Sequence, residues 1–329
     1  MSVYTTVSAG TAEHFLAAYD LGALVAIEGI AAGIENTNYF VDTRGGRFVL
    51  TLFERHERPD LEYFLSLMTW LADAGLPCPR PIPARDGSAL RRLEGRHAAL
   101  VERLPGRMPQ APDAAQCAEL GSVLGRLHAV GQGFAGRRSN ERGTAWRAAT
   151  AQAVCPHLDA EVRRMLEQEV AWQAAYPVDR LPHGAIHADL FRDNALYDGG
   201  RLTGVIDFYA ACHDVLLYDL AICVNDWCVA GDGSLDGERG RALMAAYAAQ
   251  RPLQPAEREA WPAMLRRAAL RFWLSRLFDQ HFPRAGEITH IKDPLHFQRI
   301  LCHRIGDAAA SLALWPRSQA AADRSASAS

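Results

Sequence analysis

Apolar residues recur along this chain with two different periods, and the change from one to the other divides it. Alternating patterns predict three short strands, Leu24 to Ile30, Asn38 to Val41 and Arg47 to Phe53. The turn Asp42-Thr-Arg-Gly45-Gly46 joins the last two, so they form a small antiparallel sheet. Ahead of them a helix from Ala12 to Tyr19 is predicted, capped by Thr11 and ended by Gly22, with Phe15, Leu16 and Tyr19 on one face. After them Leu61, Phe64, Leu65, Met68 and Leu71 mark a helix from Pro59 to Gly75. Pro77, Pro79, Pro81 and Pro83 then force an extended passage. A strand from Ala98 to Arg103 follows and is broken by Leu104-Pro105-Gly106. Beyond that break the period is helical: Ala114 to Val130, Leu158 to Tyr176, Tyr218 to Cys228, Pro255 to Gln280 and Pro294 to Leu314. From Arg317 onward small and polar residues predict a frayed tail.

This order gives an α+β chain of two lobes, a small antiparallel-sheet lobe over 1–104 and a mainly helical lobe over 105–316, with a tail at 317–329. At 329 residues each lobe is long enough to bury a core of its own. Ligand sites favour such junctions, which makes the segment from Glu102 to Leu104 the candidate adenine contact. A formal charge of −3 leaves no electrostatic footprint for nucleic acid or an anionic membrane, and a small-molecule partner fits better. The first residues carry neither the basic region nor the apolar core of a signal peptide, and no apolar run reaches membrane-spanning length, so a cytoplasmic protein is expected. Seven scattered cysteines read as reduced core residues rather than as a zinc or disulfide framework.

The chemistry gathers between His183 and Phe208. His187, Asp189 and Asn194 fit the kinase catalytic-loop pattern H-x-D-x-x-x-x-N, and Asp207 follows in an apolar run that predicts a strand ending at Phe208. Phosphoryl transfer needs little covalent help and much positioned charge: one carboxylate at the nucleophile, and oxygen ligands for magnesium. Asp189 is the candidate catalytic base, and Asn194 and Asp207 are the candidate Mg²⁺ ligands, with His187 a structural hydrogen-bonder. A metallohydrolase using His183, His187, Asp189 and His213-Asp214 is the competing reading, and it leaves Asn194 and Asp207 without a role.

Upstream, Gly33, Ile34, Glu35, Asn36, Thr37 and Asn38 form a small, polar stretch whose backbone N–H groups suit the phosphates of ATP, with a plain hairpin turn as the alternative. Arg142 lies in a polar loop, 136–146, which either presents guanidinium groups to an anionic substrate or is a solvated basic loop. Asp219, Asn225 and Asp226 lie in an apolar helix and need partners; Asp219 is assigned to bracing the catalytic loop, Asn225 and Asp226 to the substrate side. Arg271 and Arg276 either grip a carboxylate or pair with Asp279.

Five stretches together carry a family resemblance: G-I-E-N-T-N-Y-F-V at 33–41, V-L-T-L-F-E at 49–54, H-A-D-L-F-R-D-N at 187–194, I-D-F-Y-A-A-C at 206–212 and Y-D-L-A-I-C-V-N-D-W-C at 218–228. They resemble the bacterial homoserine kinase family, whose fold is protein-kinase-like and similar to that of aminoglycoside phosphotransferases, and not the GHMP type. That resemblance implies transfer of the γ-phosphoryl of ATP, with Mg²⁺, to the side-chain hydroxyl of L-homoserine in threonine biosynthesis, with an arginine at the substrate carboxylate. Phosphotransferases of this type usually carry a lysine where Thr51 stands, whereas the only lysine here is Lys292. Arg55, or backbone amides and metal, must then serve the phosphates, and the lysine's ion-pair partner, for which Glu62 is the candidate, loses its purpose. A kinase of another amino alcohol or sugar, and a nucleotide-binding pseudokinase, are the other readings.

Overall fold

A computed structural model of the chain describes residues 4–30, 36–283 and 292–316. Helix α1 (Ala9–Leu16) precedes β1 (Leu24–Gly29), β2 (Thr37–Thr43) and β3 (Gly46–Phe53), and α2 (Arg58–Asp73) leads through the prolines to β4 (Arg91–Leu93) and β5 (Arg96–Glu102). These strands make one antiparallel sheet in the order β1-β2-β3-β5-β4. Helix α1 starts earlier than predicted because Ser8, in an extended conformation, is the cap, its hydroxyl accepting the Thr11 N–H at 3.1 Å. The hairpin β4–β5 was not predicted, since β4 is three residues long and two are arginines; it turns on Glu94 and Gly95, both at positive φ.

The sheet has a different core on each face. Phe48, Leu50, Leu52, Ala98 and Leu100 point to α1, whereas Phe53, Ala99 and Val101 join a cluster that continues through α2 into the helical part. Asn38, Thr51 and Ala99 stand opposite one another across β2, β3 and β5 on that second face, which is the roof of the cleft.

The helical part comprises α3 (Ala114–Gly131), α4 (Thr144–Val154), α5 (Ala160–Ala175), α6 (Leu216–Trp227), α7 (Gly237–Gln250), α8 (Pro255–His281), α9 (Pro294–Gly306) and α10 (Ala308–Leu312). Two helices were missed for a physical reason. Helix α4 buries an arginine and a threonine on its inner face, and α7 is rich in glycine, alanine and arginine, so neither shows an apolar stripe. Helices α3 and α7 approach so closely that a Cβ on Gly121 would lie 2.2 Å from the Leu243 carbonyl oxygen. The predicted last helix is two, because Asp307 breaks the run and caps α10 through the Ala310 N–H. Between α5 and α6 lie two short antiparallel pairs, β6 (His183–Ile186) with β9 (Cys212–Val215) and β7 (Ala195–Asp198) with β8 (Arg201–Val205), and His187, Asp189, Asn194 and Asp207 occupy the turns among them. Six of the seven cysteines are buried and Cys302 is exposed, contrary to the all-core reading; all are free thiols. Among the described residues no helix is long and apolar enough to cross a membrane.

Candidate active site

Strand β6 ends at Ile186, and the chain then turns through Ala188 at φ +65, a left-handed conformation that a β-carbon disfavours. Asp219, fully buried on the first turn of α6, holds that turn: its two carboxylate oxygens accept the N–H groups of His187 and Ala188, each at 2.8 Å. It braces the loop as expected. The His187 ring donates from Nε2 to the Ile206 carbonyl at 2.9 Å and accepts the Asp189 N–H on Nδ1 at 3.3 Å, so both ring nitrogens are occupied and the imidazole is neutral. It thereby ties the Asp189 backbone to the end of β8. Asn194 donates from Nδ2 to the Asp189 carbonyl at 2.8 Å, and its amide nitrogen is 3.4 Å from Asp189 Oδ2.

Asp207 departs from its prediction. Strand β8 stops at Val205, and Asp207 is an exposed residue at φ +63 heading a 3-10 turn over Phe208–Ala210. A strand would have alternated its side chain into the sheet, whereas the left-handed turn presents the carboxylate to solvent. The Ile206 N–H donates to the Asn194 carbonyl at 3.0 Å, which brings the two candidate ligands' backbones together; an amide and a carboxylate oxygen are the hard donors that suit Mg²⁺. The metallohydrolase set is not assembled: His183 bonds the Leu181 carbonyl through Nδ1 at 2.7 Å, His187 is fully used, and among the described residues no three His, Cys, Asp or Glu groups are spaced to share an ion.

Behind Asp219 runs a directional chain that the sequence did not reveal. Arg251 Nε donates to the Tyr247 hydroxyl at 2.6 Å, that hydroxyl donates to His128 Nδ1 at 2.7 Å, and His128 Nε2 donates to Asp219 at 3.1 Å. Burial lowers the pKa of His128 and of His187, with Asp219 pulling each part of the way back. For Asp219 itself burial acts upward, but the hydrogen bonds it accepts from His128 and from the His187 N–H overcome it and the pKa lies below the usual value. The sign follows directly. The unfolded chain protonates both histidines below about pH 6.5, the folded one resists, and the Asp219 contribution is likewise lost as pH falls. Stability should therefore be full well above about pH 6.5 and fall below it, by at most about 1.4 kcal/mol per pH unit for each histidine. Urea midpoints measured from pH 7 to pH 5 check this, and a flat or rising profile contradicts it.

On the nucleotide side, Gly33, Ile34 and Glu35 lie outside the described residues. Asn36 is buried. Thr37 does not face the cleft: it is fully buried, its hydroxyl accepting the N–H groups of Tyr4 and Thr5 and donating to Glu54 at 2.7 Å, so it pins the chain start to the sheet. Asn38 does face the cleft. Thr51, standing where a phosphate lysine would, donates to Asn38 Oδ1 at 2.8 Å and accepts from the Tyr209 hydroxyl at 3.5 Å. Tyr209, two residues after Asp207, packs edge-on against Phe53, so the sheet and the Asp207 turn are joined at this point. Glu62 pairs with Arg58 one turn back on an exposed helix face, 2.7 Å, and has no lysine to serve. Glu102 ends β5, its N–H bonded to the Arg80 carbonyl, and Leu104 packs on Gly204 of β8. Paired bonds between Arg107 and Tyr197, 2.9 Å each, fasten this connection to β7.

Of the candidate substrate residues, the structure brings Arg271 to the Asp189 carboxylate, Nη1 standing 3.3 Å from Oδ1. Arg276, further along α8, donates to the Asp293 carbonyl at 2.9 Å and lies over the Phe297 ring, joining α8 to α9. Arg142 stacks on Trp146, and its carbonyl accepts from Arg147. Asn225 is not a substrate residue: it is fully buried, its amide bonded to the Leu265 carbonyl and its oxygen to Arg304, because α6 is covered on every side. Asp226 is taken by Arg192, whose N–H and guanidinium both bond it, at 2.8 to 3.3 Å, and it shapes the catalytic loop instead of facing substrate.

A model of the phosphotransferase enzyme family matches residues 26–253. A homoserine kinase of Methylobacillus flagellatus is 55% identical over 315 residues, covering 96% of this chain and 99% of that protein. A homoserine kinase of Pseudomonas aeruginosa is 48% identical over 306 residues, covering 92% and 96%. Among solved structures, an amicoumacin kinase in complex with AMP-PNP and Ca²⁺ superposes with a TM-score of 0.70 at 14% identity, covering 96% of this chain and 97% of its own. A spectinomycin phosphotransferase in complex with ADP gives 0.65 at 13% identity, covering 94% and 97%.

Proposed function

We propose, from the premise that this chain belongs to the phosphotransferase enzyme family and within it to the homoserine kinases, that it transfers the γ-phosphoryl of Mg-ATP to the side-chain hydroxyl of L-homoserine. The product is O-phospho-L-homoserine, for threonine biosynthesis in the cytoplasm. The observation that carries this reading is the Asp189 carboxylate, half-buried in the cleft on a turn that Asp219, His187 and Asn194 hold from three sides. In that role Asp189 orients the substrate hydroxyl and takes its proton as the bond to phosphorus forms. Asn194 and Asp207 would hold Mg²⁺, which neutralises charge on the phosphoryl oxygens when bound. The connection from Glu102 to Leu104 meets the adenine, and the stretch from Gly33 to Asn38 covers the phosphates, with Thr37 its anchor. Asn38, oriented by Thr51, offers an amide to the phosphates where a lysine would offer charge.

The test is ADP release from purified protein with Mg-ATP and a panel of L-homoserine, L-serine, L-threonine, choline, methylthioribose and kanamycin. Turnover is expected with L-homoserine at least about a hundredfold above the others in kcat/KM. A different preferred alcohol overturns the substrate and keeps the chemistry. No turnover with any, despite ATP binding, makes the protein a pseudokinase.

A further inference from the structure

Two arginines that the mechanism leaves unused, one on α4 and one on α8 a turn from Arg271, are almost wholly buried: Arg147 is 4% exposed and Arg267 is 7% exposed. Neither makes an ion pair among the described residues. Arg147 donates to the Arg142 carbonyl at 3.3 Å and to Thr144 Oγ1 at 3.0 Å; Arg267 donates to the side chain and carbonyl of Gln173, at 3.2 and 3.3 Å. All these acceptors are neutral. The two guanidinium groups also repel each other, and with burial acting first the pKa of Arg267 is lowered to about 10 and that of Arg147 is lowered as well. One carboxylate, Asp214, acts on both from β9, where Asn140 and the Val215 N–H already bond it. The Tyr218 hydroxyl on α6, near enough to act on both, is buried with no hydrogen-bond partner among the described residues.

Buried like charges with neutral partners are unfavourable unless an anion joins them. Arg304, the other buried arginine lacking a carboxylate, stands alone behind α6 with no cationic neighbour and sets up no such imbalance. The position is also telling. Arg267 and Arg271 are four residues apart on α8, so they share a face one turn apart, about 5.4 Å. Arg271 touches Asp189. A four-carbon hydroxy amino acid spans about that distance between its hydroxyl and its carboxylate.

Resting on the kinase reading above, we infer that Arg147 and Arg267, with the Tyr218 hydroxyl, form the subsite for the substrate's carboxylate, and that Arg271 lies between that subsite and the catalytic carboxylate. The arrangement makes these residues determinants of specificity for a hydroxy acid over the same alcohol without its carboxylate.

The experiment compares L-homoserine with 3-aminopropan-1-ol, which has the same skeleton and no carboxylate, in wild type, Arg147→Met, Arg267→Met and Arg267→Lys. The ratio of the two kcat/KM values within each protein is independent of the fraction folded, and calorimetric binding of both compounds reads the same preference without turnover. Each Met variant should lower the wild-type ratio at least about tenfold, through KM for homoserine, with KM for ATP within about twofold; Arg267→Lys should recover part of the loss. Ratios unchanged within about twofold in both Met variants, a wild-type ratio near one, or no binding of homoserine overturn the inference. Failure of the kinase reading is distinct: it appears as wild-type turnover absent while homoserine binding and its loss in the variants persist.

Discussion

Asp189→Ala is expected to lower kcat by roughly 10²–10⁴-fold while ATP affinity changes by less than about twofold, the pattern of a group used at the transition state and not in ground-state nucleotide binding. The fold should tolerate the change. The loop's conformation is fixed through backbone groups, by Asp219 on the His187 and Ala188 N–H groups and by Asn194 on the Asp189 carbonyl, none of which involves the Asp189 side chain. What the substitution does disturb is Arg271, which loses the carboxylate 3.3 Å away. Asp189→Asn keeps an oxygen for Arg271 and removes only the base, so equal losses in the two variants assign the effect to proton acceptance. Steady-state rates at saturating Mg-ATP, with nucleotide binding measured separately, decide it; turnover within about tenfold of wild type removes Asp189 from that role.

Asp219→Ala is expected to cost about 3–5 kcal/mol of stability, an effect that comes from far behind the chemistry. The carboxylate is fully buried and accepts from two backbone N–H groups and from His128. Its removal strands all three donors, and an unsatisfied buried donor is costlier than a hydrogen bond is favourable. Ala188 also loses the contact that holds it at φ +65, so turnover should fall together with stability. Urea unfolding of wild type and variant at pH 7.5 reads the first effect, and kcat well below the midpoint reads the second. A change under about 1 kcal/mol would mean the turn is held elsewhere.

Strands β1, β2, β3 and β5 and most helices were legible because each is written in local periodicity, and the pattern from Asp189 to Asn194 and Asp207 is likewise a matter of local spacing. Helix α4 was not, since its buried face carries Arg147 and Thr150 where a helical stripe would carry apolar residues. The chain Arg251–Tyr247–His128 was invisible for another reason: the His128–Tyr247 contact joins residues 119 apart, and nothing local distinguishes His128 from any core histidine. Asn225 and Asp226 show the opposite error. Polar residues in an apolar helix were rightly said to need partners, but their partners are Arg304 and Arg192 within the fold. Tyr209 had a usable signal, its place beside Asp207, without any hint that it would reach Thr51 on the sheet.

The exchange of a lysine for Thr51 also decides how the enzyme looks to chemical proteomics. ATP acyl phosphates tag kinases by acylating an amine next to the bound phosphates, and the first lobe of this chain has no ε-amine to accept the tag. The one such amine, on Lys292, lies outside that lobe and is held 2.9 Å from Asp193. A lysine-reactive survey would score the nucleotide pocket as blank in an enzyme with full activity, so its occupancy has to be followed by probes that do not rely on amine chemistry.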